Sequence, residues 1–299
     1  MKKIFSLLPL TFYALTTCGQ NVDFTLKGYL NGMETGKIKL VYDANTKGVN
    51  IDDSTKVVNG QFLINGKLPH GFPYLTLLWL NDSLVTKLFF ISPGYQEIRL
   101  DIKHFSIVPQ MATAASSEND EYNVSARPAD SLTDLFFIHR NHLYAIYNNH
   151  LPSRIADSLQ KALNNISDLK DQVIKSFLEK NPKSYVGLWH LFDRVLLMGY
   201  RPGLSEAYQE VDDSLKSSII GKKVESVLSH SKMIQKGAVF PRFMVQSMSG
   251  DSVLFRINKQ DKITLVDFWY SHCSPCIAQF ETLKKLYNEY HPLGFNIVG

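Results

Sequence analysis

The chain has 299 residues, 44% of them apolar, so it is long enough to bury more than one core and predicts two or three domains. Its formal charge of +4 falls to +2 if Lys2 and Lys3 leave with an N-terminal leader. With no run of clustered Lys and Arg, that balance excludes nucleic acid as an expected partner. No internal stretch is long and apolar enough to be a transmembrane helix.

At the N-terminus, Lys2 and Lys3 precede an apolar stretch from Ile4 to Leu15 that is interrupted by Pro9 and too short to span a bilayer. That is the profile of a secretory signal. It ends in Leu15-Thr16-Thr17-Cys18, which resembles a bacterial lipoprotein box, although Thr17 stands where Gly, Ala or Ser is usual. The resemblance implies a signal segment over 1–18, lipidation of Cys18, a membrane anchor and a periplasm-facing place in the bacterial cell envelope. Cleavage nearby without lipidation gives a soluble periplasmic protein instead. With Cys18 taken by lipid, two cysteines remain, and an exported protein keeps free thiols for a purpose.

Residues 22–108 read as short alternating strands broken by Gly, Asn and Asp. The runs are Phe24 to Leu30, Lys37 to Tyr42, Leu75 to Leu80, Thr86 to Ile91 and Glu97 to Ile102, and Asn59-Gly60 joins Val57-Val58 to Gln61-Phe62-Leu63-Ile64 as a hairpin turn. Such spacing predicts an all-β sandwich or barrel. Phe72, Tyr74 and Trp79 are expected in its core rather than on a ligand platform. The order Gly28, Ile51-Asp52-Asp53-Ser54, Asn59-Gly60-Gln61-Phe62 and Gly66 resembles the uncharacterised β-domain that precedes thioredoxin-like domains in envelope lipoproteins of Bacteroidetes. That domain brings no known catalytic residues.

Residues 109–130 are polar, with few large apolar side chains, and predict a flexible linker. A helical region is expected over 131–235. Ser131-Leu132-Thr133-Asp134 offers a capping box, and Leu132, Leu135, Phe136, His139, Leu143 and Ile146 line one helical face. A second helix carries Ile155, Leu159, Leu163, Ile166, Leu169, Val173 and Phe177 and stops at Asn181-Pro182. Tyr185 to Leu196 gives a third, and Leu204 to Met233 a further pair around Gly221. The Asn-Pro-x-Ser-Tyr run and Gly221-Lys222 are similar to the inserted helical region of the same lipoproteins. Of the histidines here only His139 and His142 can share a face, and no metal site is expected.

The last segment, 237–299, carries the chemistry. Ile263 to Trp269 is a short strand rich in β-branched and aromatic residues, and Ile277, Phe280, Leu283, Leu286, Tyr287 and Tyr290 recur at helical steps. Cys273 and Cys276 therefore sit where a strand turns into a helix. Free N–H groups and the positive end of the helix dipole favour a thiolate there and draw a cysteine pKa from about 8.5 towards roughly 7 or below. Cys273 is the candidate nucleophile and Cys276, one turn further in and expected to be more buried, the resolving thiol. Pro275 suits the first turn, where its missing N–H is not needed. The main rival reading is zinc, but the chain has no second cysteine pair, and His272 and His291 lie at opposite ends of the helix; a cysteine pair with no chemical role is the remaining alternative. Neither a metal nor a cofactor is expected.

These motifs together resemble the first half of a thioredoxin-like domain of the TlpA/ResA type, a branch related to the alkyl hydroperoxide reductase and thiol-specific antioxidant family. Gly237-Ala238-Val239-Phe240-Pro241-Arg242-Phe243 matches its lead-in, Asp251 to Asp261 its short hairpin, and Val266-Asp267-Phe268-Trp269 with Cys273-Ser274-Pro275-Cys276 its core. In thioredoxins a buried carboxylate under the dithiol accepts a proton, and Asp267 holds that place; it also reads as an ordinary strand-end residue. Trp269, Pro275 and His272 would tune the site. His272 stands where Trp is usual: a charged imidazole would favour the thiolate, and a plain surface histidine would do nothing. Gln279 replaces a usual Glu three residues after the second cysteine. The sequence stops at Gly299, after Phe295 to Val298, which reads as the next parallel strand. The remaining helix, cis-proline strand and closing hairpin of the family are absent, so an incomplete α/β unit of βαβ form is expected.

Three functions follow. The first is an envelope thiol-disulfide oxidoreductase acting on protein disulfides or dithiols with an unknown redox donor. The second is a binding or scaffold lipoprotein whose redox half is vestigial or completed by a partner. The third, a thiol peroxidase of the related family, ranks last because peroxiredoxins place their reactive cysteine in a Thr-x-x-Cys context.

Overall fold

A computed structural model describes residues 22–42, 52–68, 71–103, 106–247, 249–255, 257–258 and 260–299. The expected leader and Cys18 lie outside these residues, as does Ile51 of the β-domain resemblance. The chain divides into two compact units between Lys232 and Met233. Among the described residues no helix is long and apolar enough to cross a membrane.

The first unit opens with β1 (Val22–Asn31), β2 (Thr35–Tyr42), β3 (Asp52–Val58), β4 (Gln61–Leu68), β5 (Tyr74–Leu80), β6 (Leu84–Val85), β7 (Phe89–Ile91), β8 (Gly94–Asp101) and β9 (Gln110–Met111). All join one curled sheet in the order β6-β5-β2-β3-β4-β1-β8-β9, with β7 added beside β5. The predicted sandwich or barrel is thus a half-barrel. Its inner face follows the two-residue period: Phe24, Leu26 and Leu30 from β1, Phe62, Ile64 and Leu68 from β4, Ile98 and Leu100 from β8. Asn59 and Gly60 adopt φ of 51° and 69°, the left-handed pair that a two-residue hairpin turn demands. Phe62 lies across Gly28 on the neighbouring strand, where a Cβ would fall 1.8 Å from the ring. The expected strand over 86–91 is broken: Thr86 is buried, its hydroxyl accepts the Leu78 N–H at 3.0 Å, and the chain bridges to Ile107 before β7 begins. Tyr74 is in the core as expected, whereas Trp79 is partly exposed.

The helices are α1 (Ala114–Ile146), α2 (Ser153–Lys180), α3 (Tyr185–Met198), α4 (Pro202–Gln209), α5 (Asp213–Lys216) and α6 (Ile219–Met233). The stretch expected to be a flexible linker is therefore mostly helix. Thr113 caps α1 by accepting the Ser116 N–H, and the buried face there is made of Ala115, Ala126 and Ala129. Small residues carry little periodic signal, yet they let a helix approach its neighbour closely. Ser131 to Asp134 lies inside α1 and caps nothing; the Thr133 hydroxyl donates back to the Ala129 carbonyl. The segment expected to hold two helices around Gly221 holds three, and Gly221 sits in the first turn of α6.

α3 joins helices to sheet. Tyr185 stacks on Phe72 with ring centroids 4.3 Å apart, Trp189 meets Tyr74 edge-on, and its indole N–H donates to the Pro73 carbonyl at 3.3 Å. Sheet and helices share one continuous core in this unit. Across α2, α3 and α4, Asp171 is 2% exposed and is held by Arg194 Nε at 2.9 Å and by Arg201 Nε, while the Arg201 guanidinium also reaches Asp168 at 2.6 Å.

The second unit contains β10 (Phe243–Gln246), β11 (Ser252–Phe255), β12 (Ile263–Val266), α7 (Ser274–Tyr290) and β13 (Phe295–Val298). β10 and β11 form an antiparallel hairpin closed by Phe243 stacked on Phe255 at 5.0 Å. The hairpin thus begins ahead of the expected 251–261 stretch, with Phe243 to Gln246 as its first strand, and only its second strand falls within that stretch. β12 and β13 pair in parallel from Ile263 opposite Phe295 to Val266 opposite Val298, with α7 as the crossover. This is the expected βαβ unit. Among its described residues none is fully buried, so it holds its shape with far less core than the first unit.

Candidate redox site

The site begins where β12 ends. Residues 267–273 leave the strand, the Cys273 N–H donates to the Tyr270 carbonyl at 3.0 Å, and Cys273 becomes the N-cap of α7. Pro275 occupies the first turn, where a free N–H has no helical partner to lose. Cys273 and Cys276 are joined by a disulfide with their Cα atoms 5.2 Å apart. The Cys276 N–H points at Cys273 Sγ from 3.2 Å. In the reduced state the same N–H and the helix dipole would stabilise a Cys273 thiolate. Both cysteines are half-buried, so Cys276 is not set apart by burial as expected.

The neighbouring residues are only partly gathered around the sulfurs. Asp267 is half-buried, its N–H donates to the Val298 carbonyl at 2.8 Å, and its Oδ1 accepts a hydrogen bond from Gln279 Nε2 at 3.3 Å. It is therefore not buried as deeply as the resemblance to thioredoxins implies for this position, and it has a partner. Gln279, read from the sequence only as the loss of a glutamate, is the amide that orients this carboxylate. Trp269 packs edge-on against Phe280 at 5.2 Å and remains about half exposed. His272 is exposed and its Nδ1 pairs with the Ser271 hydroxyl at 3.0 Å. His291, at the far end of α7, stacks on Tyr287 and bonds the Phe295 carbonyl through Nδ1 at 3.0 Å. Among the described residues no three metal-ligating side chains gather.

Beside the site lies an open groove of about 460 Å³. Asp267 and Trp269, Phe280, Leu283 and Tyr287 of α7, and Ile297 of β13 line it. The groove is mostly apolar and is shared by the two residues that connect strand to dithiol.

Residues 24–122 match the family model described as a domain of unknown function, DUF4369. The matched span runs from β1 to the first third of α1, so the start of that helix belongs with the sheet. No curated protein matches the chain. The chain is thus similar over its half-barrel to a domain family without assigned activity, and it carries at its other end a Cys-x-x-Cys disulfide consistent with a redox-active dithiol.

Proposed function

We propose that the protein is a thiol-disulfide oxidoreductase of the bacterial cell envelope, with a TlpA/ResA-type site and a lipid anchor at Cys18. The observation that carries the redox assignment is the Cys273–Cys276 disulfide at the N-terminus of the crossover helix of a βαβ unit. In the reduced protein the Cys273 thiolate attacks one sulfur of a protein disulfide. That bond breaks, and the leaving thiolate takes a proton. Cys276 gives its proton to Asp267 or water, attacks Cys273 Sγ and expels the second substrate sulfur as a thiol. Two electrons and two protons pass to the substrate, and a thiol reductant restores the dithiol; the reverse sequence oxidises a substrate dithiol.

The test uses the full-length chain and the reduction of insulin disulfides by dithiothreitol. Cys273→Ser should fall to the uncatalysed rate, and Cys276→Ser should accumulate a mixed disulfide visible by mass. Asp267→Asn should slow turnover by about 100-fold if Asp267 is the proton acceptor. An unchanged rate in Cys273→Ser would remove that residue from the mechanism.

One observation favours a second reading. The first unit has an extensive core, whereas none of the described residues of the second is fully buried. If the folded wild type gives only the uncatalysed rate, the protein is better assigned as an envelope binding or scaffold lipoprotein whose half-barrel and helices carry its function.

A further inference from the structure

Of the α1 face read from the sequence, Phe136 is buried and Leu143 half-buried, while Leu132, Leu135, His139 and Ile146 are exposed. Leu132, Leu135, His139, His142 and Ile146 follow one another at steps of three, four, three and four residues, the spacing of a coiled-coil seam. All five are exposed, Leu135 at 62% and Ile146 at 58%. The side of α1 that does pack is a different one, carrying Ala115, Ala126, Ala129 and Phe136. The helix therefore has two apolar faces and one neighbour set.

The exposed seam borders a groove of about 710 Å³ between the last turns of α1 and the first turns of α2. Leu143, Ile155, Leu159 and Ala162 line it, and His139 and Arg154 stand at its rim. Two helices side by side, with a seam on one and a groove between them, make half of a four-helix bundle.

We propose that this face binds the same face of a second copy of the chain, with the two α1 helices antiparallel and the two-fold axis at His139. Antiparallel pairing about residue 139 sets Leu132 against Ile146 of the second copy, and Leu135 against its Leu143 inside the groove. Each groove then receives a leucine from the other copy, as an isologous contact requires. Parallel pairing would bring both sheet bodies to the same end, because the first half of α1 is the part that packs on the body. The charges allow close approach: residues 131–166 carry Asp134 and Asp157 against Arg140, Arg154 and Lys161, a net of +1. The area is sufficient. From 128 to 146 the helix is about 28 Å long, and two helices side by side present a strip about 20 Å wide. That plane of roughly 560 Å² on each copy, about 1,100 Å² for the pair, clears the ~1,000 Å² in total that a biological interface needs.

Sedimentation of the full-length chain under reducing conditions tests this. The wild type should sediment as a dimer, twice 34.0 kDa, at about 100 μM. Leu135→Asp and Ile146→Asp should each weaken the dimer at least tenfold without changing the circular dichroism, since both positions are exposed. Leu197→Asp, at an exposed leucine of α3, should leave the dimer intact. As a second readout, His139→Cys should form a disulfide between the two introduced thiols on mild oxidation, whereas Leu197→Cys should not. A monomeric wild type overturns the proposal. So does a dimer that survives both aspartates, or one equally lost in Leu197→Asp. A monomer that binds phosphatidylglycerol vesicles through Leu135 and Ile146 assigns the face to a lipid surface and overturns it too.

Discussion

Cys273 and Gln279 show what a single residue contributes here, and His190 shows what one can cost. The His190 ring stacks on Tyr122 at 3.6 Å, meets Phe90 edge-on and bonds Asn119 through Nε2 at 2.9 Å, although the residue keeps some surface exposure. Burial lowers its pKa to about 4, outweighing the opposing effect of the Asp130 carboxylate. The unfolded chain takes up that proton near pH 6.5 and the folded chain only near 4. Stability is therefore present above about 6.5 and lost as pH falls towards 4, by at most about 3 kcal/mol. Urea unfolding at pH 7 and pH 4.5 should show a smaller difference for His190→Gln than for the wild type; equal differences would show that His190 does not supply the pH dependence. The same burial pushes the Tyr122 hydroxyl well above its ordinary range, so that group stays neutral throughout.

At the scale of elements, close approach and charge pairing decide more than propensity. β1 accommodates Phe62 of β4 only because residue 28 has no side chain. Gly28→Ala should cost about 1–3 kcal/mol in chemical denaturation, since the ring has to leave its place over the sheet. Helices α2, α3 and α4 meet around the Asp171 carboxylate, which serves two guanidinium groups. Removing it takes from Arg194 its carboxylate partner at a largely buried junction and leaves Arg201 with Asp168 alone, so Asp171→Ala should lose about 3–5 kcal/mol. A loss below 1 kcal/mol would mean that water reaches the arginines. The strands, the Asn59-Gly60 turn, α2 and α3 were legible in the sequence because large apolar residues mark their periods. The first half of α1 was not, because alanine marks no period and a polar composition reads as a connector. Asp171 was missed too: a carboxylate in the polar part of a helical pattern shows nothing of the arginines that reach it from α3 and the start of α4.

At the scale of the whole molecule, the two units differ in how they are held together. The first shares one core between sheet and helices, and the second relies on half-buried contacts around α7. Deleting residues 233–299 should therefore shift the thermal midpoint of the first unit by no more than about 2 °C, and reducing the disulfide should leave that midpoint unchanged. A collapse of the first unit on truncation would show that the division at Lys232 is not a boundary of folding.

The sequence by itself determined most of the strands, the second and third helices and the position of the dithiol at a strand-to-helix junction. These rest on local rules: apolar period, turn chemistry and the spacing of two cysteines on one helical turn. Only the tertiary structure decided that β1 pairs in parallel with β8, that Gln279 holds Asp267, and that the seam on α1 faces outwards. Each of these depends on which surface meets which across a long loop of chain. An apolar period says that a face is to be covered, and only packing says whether this chain covers it.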